Sequence, residues 1–295
     1  MSILEVSLTY SGQDADRNIL EMYDLAQAVL GLQRTLALTT HLILNNKVIT
    51  QAPALKNADI YIEPFEAGSF KSKAIIMVAG ASALYHLGTA PKDTPLGHLI
   101  YSGYSYVISE ALGIDEVNYD ETLQQQLKQH NEEQGFNLDQ SRFDSVVEKC
   151  ENSVLNMHRP IYKSKSASSG KLECKLGGRR IPVKGVLNYS TYEYLSESVQ
   201  SEIPQKIKVK VTSYNINSYK GRLFSPEFGN RTIPFTLEGD AKFASKVSLI
   251  TSSLSIGARN RDAADSFVEM TCLKISSSTG RLKAFIVFDV TSPEK

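Results

Sequence analysis

The sequence predicts an α+β chain in two parts: an N-terminal β-α-β-β layer with a helical segment, then a small antiparallel β-barrel or sandwich domain. Three observations lead there. Apolar residues recur at helical spacing through 22–44, and helix-rich sequence runs from about 80 to 155, whereas short alternating runs dominate beyond 170. Charge divides along the same line: residues 1–150 hold 10 Lys and Arg against 19 Asp and Glu, and residues 151–295 hold 22 against 13. Between these regimes "HRPIYKSKSASSGK" is rich in proline, serine and lysine, which reads as a linker or exposed loop. The expected domains are therefore an acidic 1–157, a basic linker 158–170 and a basic, β-rich 171–295.

The elements follow in order. "ILEVSLTY" alternates as a strand does, and "SGQD" turns the chain. From Met22 the period lengthens, with Leu25, Val29, Leu32, Leu36 and Ile43 falling on one helical face and no proline to break it. "ADIYIEPF" and "SFKSKAIIMV" read as strands around "EAGS", whose Gly68 suits a hairpin turn. Thr94 before Pro95 is a favourable helix start for the tyrosine-bearing stretch that contains Tyr101, Tyr104 and Tyr106, where core or interface packing is expected. "KLECKLGGRRIPVKGV" is a hairpin around Gly177-Gly178, followed by "KIKVKVTSYNI", "YKGRLF" and "TIPFTLE". Phe243, Val247, Ile250 and Leu254 mark a short helix, and "DSFVEMTCLKI" with "RLKAFIVFDV" closes the chain as paired strands.

Several of these words carry a resemblance. "LTYSG" (Leu8–Gly12), "MYDLAQAVLGL" (Met22–Leu32), "EAGSF" (Glu66–Phe70) and "NSVLNMHRPI" before a basic β-rich end are similar to a group of bacterial proteins, often chromosomal or prophage-borne. The resemblance implies architecture, bacterial origin and a setting of phage–host conflict. It implies no catalytic residue.

Composition excludes some classes. At 295 residues with 42% hydrophobic and 22% charged content, the chain is ordinary globular material. Cys150, Cys174 and Cys272 are too few and scattered for a disulfide framework, which points to a cytoplasmic protein. The apolar run in "KAIIMVAGASALYHLG" falls short of a membrane span, so no membrane partner is expected.

Enzyme signatures fail one by one. Gly170-Lys171 lacks the leading glycine and the hydroxyl residue of a phosphate-gripping loop. Ser168 and Lys171 have the Ser-x-x-Lys spacing of some acyl enzymes but lie in a polar loop rather than at a buried helix start. His41, His86, His98, His130 and His158 show no metal-ligand spacing. The carboxylate pairs Asp14/Asp16 and Asp115/Glu116 sit in polar, turn-like surroundings. The balance is against an enzyme, and neither cofactor nor metal is expected.

A binding role fits better. "KIKVKVTSY" places Lys206, Lys208 and Lys210 on one side of an extended chain, with Ile207, Val209 and Val211 on the other. Arg159, Lys163 and Lys165, the pair Arg179 and Arg180, then Lys220 and Arg222 extend the basic set, with Tyr162, Tyr214 and Tyr219 interleaved. Arg259 and Arg261 add a polar turn. Lysines of this kind bind phosphates, and aromatic rings stack bases, as on oligonucleotide-binding barrels. Two competing uses remain open: lysines on an edge strand discourage unwanted pairing, and the oppositely charged halves suit docking of a protein partner or self-assembly. No helix-turn-helix or zinc-finger pattern appears, so any nucleic-acid recognition is expected to be independent of sequence.

Overall fold

The computed structural model describes residues 2–63, 71–78, 95–114, 127–132, 138, 140–176, 178–228, 232–260, 263–277 and 280–293. They form two compact units that divide between Ser196 and Glu197. Gly68, His86, Thr94, Asp115, Glu116, Gly177 and Arg261 lie outside the described residues.

The first unit is a five-stranded sheet backed by helices. Strand β1 (Ser2–Ser11) leads through a 3-10 turn at Gln13–Arg17 to helix α1 (Met22–Asn45). The Glu21 carboxylate accepts the N–H groups of Tyr23 and Asp24 at 3.1 and 2.8 Å and so starts the helix. Asn46, left-handed at φ 49°, ends it. Strands β2 (Ala58–Glu63) and β3 (Lys71–Val78) complete the expected β-α-β-β layer. Helices α2 (Pro95–Ala111) and α3 (Gln140–Met157) follow, then a single turn, α4 (Arg159–Tyr162).

The next hairpin is not where composition put it. Strands β4 (Ser169–Leu176) and β5 (Arg179–Leu187) join the first sheet, giving the antiparallel order β2-β3-β1-β4-β5. Leu8 stands opposite both Ser72 and Leu172, and Val6 opposite both Ala74 and Cys174. The alternation that made β4 legible as a strand buries Leu172, Cys174 and Leu176 in the same core as Leu4, Val6 and Leu8. Helix α5 (Tyr189–Ser196) closes the unit. Residues 158–170 are therefore no linker, and the domain boundary falls near 196 instead of at 157–171.

The far face of this sheet carries a ladder of alternating charge. Glu63, Lys73, Glu5 and Lys175, one from each of four neighbouring strands, approach at 2.5, 3.6 and 3.3 Å in turn.

The second unit is a closed barrel. A short β6 (Val199–Gln200) pairs with β10, and five strands make the wall: β7 (Gln205–Asn215), β8 (Lys220–Phe224), β9 (Thr232–Leu237), β10 (Phe267–Ser276) and β11 (Leu282–Thr291). Their order is β7-β8-β9-β11-β10, with β10 returning to β7. The expected small barrel is thus present, and all its neighbouring strands are antiparallel except β9 and β11, which run parallel. Helix α6 (Ala244–Arg259) lies between β9 and β10 in sequence and packs on β7, longer than the short helix expected. Ser253 ties it down by donating to the Ser266 carbonyl and accepting the Val211 N–H. Ile207, Val209, Val211, Leu223, Phe235, Met270 and Phe285 fill the interior.

Among the described residues, no helix is long and apolar enough to cross a membrane.

A candidate nucleic-acid interface

The ten basic residues singled out in the sequence separate into two sets, five in each unit. In the first unit, Arg159 is already engaged. Its Nε and Nη2 bind Oδ1 of the buried Asp24 at 2.9 and 2.8 Å, and the Ser164 N–H takes Oδ2 at 3.0 Å. Burying Asp24 without such partners would be costly, so this arginine is first a counterion. Lys163 and Lys165 are exposed and meet no carboxylate among the described residues. Arg179 and Arg180 are also exposed, at the β4–β5 turn. They sit at the opposite end of β4, about 23 Å away at roughly 3.3 Å per residue. The hairpin arginines and the 159–165 group therefore do not share one patch.

In the second unit, strand β7 behaves as its alternation requires. Lys206, Lys208 and Lys210 face out, while Ile207, Val209 and Val211 face in. But β7 is hydrogen-bonded to β10 on one side and β8 on the other, so its lysines guard no edge.

The lysines also differ from one another. Lys206 pairs with Glu269 at 2.9 Å and lies near Asp289, whose carboxyl is held below its usual range chiefly by the hydrogen bond from Lys246. This end of the row is a mixed-charge network. Lys208 forms no ion pair among the described residues, although Glu269 is its register partner. Lys208 and Lys210 place their ammonium groups 5.3 and 4.5 Å from the centre of the Phe267 ring. Register puts Lys210 between Phe267 on β10 and Phe224 on β8. The result is a row across three strands in the order aromatic, cation, aromatic.

Beyond Lys210 the pattern changes. A bulge between Val211 and Ser213 shifts the register, so that Tyr214 stands opposite Gly221 and its ring stacks on Phe235, 6.3 Å between centres. Tyr214 is therefore packed inward rather than presented as a stacking platform. Arg222, on the outward side of β8, is only 3% exposed. Its Nε and Nη2 donate to Thr232 Oγ1 and the Thr232 carbonyl, both at 2.9 Å. It is a structural arginine, and the expectation of an exposed contact at Arg222 is corrected. Lys220, opposite Thr236 and Asn215, lies five residues along the ladder from Lys210.

Phe267 and Phe224 were missed in the sequence. The alternation of "SFVEMTCL" sets Phe267 opposite in phase to Val268 and Met270, so an outward ring was legible. Its place beside Lys210 was not, because sheet order is not written in a strand.

The three cysteines are buried. Burial pushes the thiols of Cys150 and Cys272 up to about 12, and that of Cys174 higher still, away from nucleophilic character. Tyr104 and Tyr106 are buried, and the Tyr106 hydroxyl donates to Asp144 at 2.5 Å. Asp14 pairs with Arg17, and Asp16 accepts the Gly12 N–H. Among the described residues, no group of three or more His, Cys, Asp or Glu is placed to hold a metal ion.

Two family models fit this chain. One, described as a domain of unknown function (DUF7946), matches residues 6–194, and the other, described as a family of unknown function (DUF7947), matches residues 204–291. No curated protein and no solved structure matches. The two spans fall on either side of the structural division at Ser196. With the larger match covering well over half of its length, the chain belongs to the DUF7946 family, and its barrel carries the DUF7947 match.

Proposed function

We propose that this protein is a non-enzymatic binding component whose barrel holds single-stranded nucleic acid on the outer face of β7, β8 and β10, without sequence preference. One observation carries this reading: the row Phe267, Lys210 and Phe224, with Lys208 beside it, on a closed five-stranded wall. Strand order β7-β8-β9-β11-β10, one parallel contact and a helix before the fourth strand are features of Greek-key barrels that bind oligonucleotides. A base replaces the ammonium groups over Phe267, and these swing onto the flanking phosphates, releasing counterions. The prophage-associated setting implied by the resemblance supports a role for such binding in phage–host conflict.

Docking through oppositely charged halves draws less support. Divided at 196, the first unit holds 18 Lys and Arg against 22 Asp and Glu, and the second 14 against 10. The balances of −4 and +4 are less than half those read from the midpoint of the sequence.

The test is fluorescence anisotropy of a labelled oligothymidylate with the full chain and its Lys208→Glu/Lys210→Glu variant. The reading expects the variant to bind about tenfold or more weakly, since two phosphate contacts become two repulsions. Equal affinity would exclude this face.

A further inference from the structure

We infer that the first unit carries a second contact for the same class of ligand: a surface of four tyrosines, three of them in ring contact, that stacks unpaired bases, with Lys163 and Lys165 on the phosphates. In ligand class this rests on the nucleic-acid reading of the barrel, but the surface is built from different residues and can be tested without it.

The surface comes from three elements, with Arg159 standing between its first ring and the other three. It starts at Tyr23 in the first turn of α1, whose ring lies 5.1 Å below the Arg159 guanidinium. Arg159 opens the single turn α4 that ends in Tyr162. The Tyr162 ring stacks on Tyr192 of α5, 3.9 Å between centres and 15° between planes. Tyr192 meets Tyr189 at 5.7 Å and 49°. Lys163 holds its ammonium 5.3 Å from the Tyr162 ring. The two end rings, Tyr23 and Tyr189, are 61% and 58% exposed. Folding gains little from rings left so open, and tyrosine standing in water beside cations suits a surface that gains its burial on binding.

The platform is also fixed in advance. His158 bonds the Val154 carbonyl at 2.8 Å and Thr191 Oγ1 at 2.9 Å, joining α3 to the first turn of α5. Asn188 and Thr191 cap α5 reciprocally, each side chain taking the other's backbone N–H. Asp24, itself fixed by the Ser164 N–H, holds Arg159 in place. Little ordering cost remains for a ligand.

Charge selects an anion. Lys163 and Lys165 meet no carboxylate among the described residues, Asp24 is neutralised by Arg159, and Glu21 is spent on the α1 N-terminus. Glu193 is the single carboxylate on α5. Exposed rings select a strand whose base faces are open, which a duplex does not offer.

The experiment uses the full chain and a fluorescein-labelled oligothymidylate, in both the parent and the Lys208→Glu/Lys210→Glu background. Tyr23→Ala/Tyr189→Ala and Lys163→Glu/Lys165→Glu are each expected to weaken binding about tenfold, whereas Tyr23→Phe/Tyr189→Phe, which keeps the rings, retains it. All these positions are exposed, and unchanged circular dichroism checks folding. If these variants weaken binding while the barrel variant does not, this inference stands and the barrel reading falls. If only the barrel variant weakens binding, or none does, the inference is overturned. Self-association that Tyr23→Ala/Tyr189→Ala abolishes, without oligonucleotide affinity, would overturn it too and assign the surface to a second copy of the chain.

Discussion

His158 is buried between α3 and α5, and its environment settles its protonation. The Val154 carbonyl can only accept, so Nδ1 carries the proton, and Nε2 lies 2.9 Å from the Thr191 hydroxyl, which also faces the Val186 carbonyl at 3.0 Å. Burial lowers its pKa to about 4, with the bond to Val154 opposing that shift. Between pH 4 and 6.5 the unfolded chain takes up a proton that the folded chain refuses. Stability therefore rises with pH across that window, is complete above 6.5, and is lost as pH falls, by about 3 kcal/mol at most. Denaturant titrations of wild type and His158→Gln from pH 4 to 7 should show a flatter pH dependence in the variant. An identical slope would mean that His158 titrates normally. Residue type alone cannot reveal such roles. In the sequence Arg159 and Arg222 look like any solvated cation, and only the fold supplies Asp24 and Thr232 as their partners.

At the scale of elements, what period encodes was legible and what pairing encodes was not. Helix α1 and strand β7 lie where spacing puts them, because burial of one face enforces period 3.6 or 2 directly. The hairpin β4–β5 was read correctly as a hairpin but given to the wrong domain, since an alternating strand suits any sheet that needs an edge. Helix crossings are equally silent. A Cβ at Gly31 of α1 would collide with the Ser153 carbonyl of α3. Gly31→Ala should therefore destabilise the protein by about 1–3 kcal/mol despite the better helix propensity of alanine. Gly257 of α6 is the control: its added Cβ would meet nothing nearer than Ser266 Cβ at 3.9 Å. Gly257→Ala should stabilise by about 0.5–1 kcal/mol. Chemical denaturation distinguishes the two, and the same sign for both would contradict the close approach of α1 to α3.

For the whole molecule, charge was a poor guide to where one unit ends. The basic stretch from Arg159 to Lys184 misled because it belongs to the acidic unit, where β4 completes a sheet and Arg159 neutralises Asp24. A fragment of residues 197–295 retains β6 to β11 and α6, and should unfold cooperatively on its own. A non-cooperative melt by circular dichroism would contradict that division. Fold class and the lysine row were within reach of sequence. The Phe267–Lys210–Phe224 row was not, because it depends on three strands becoming neighbours.

The salt dependence of oligothymidylate binding tests the central claim most directly. Contact between the barrel's lysines and phosphates predicts measurable affinity at about 50 mM salt that falls steeply by about 200 mM, with a shallower slope for Lys208→Glu/Lys210→Glu. No binding at the lower salt, or one slope shared by both proteins, would contradict it.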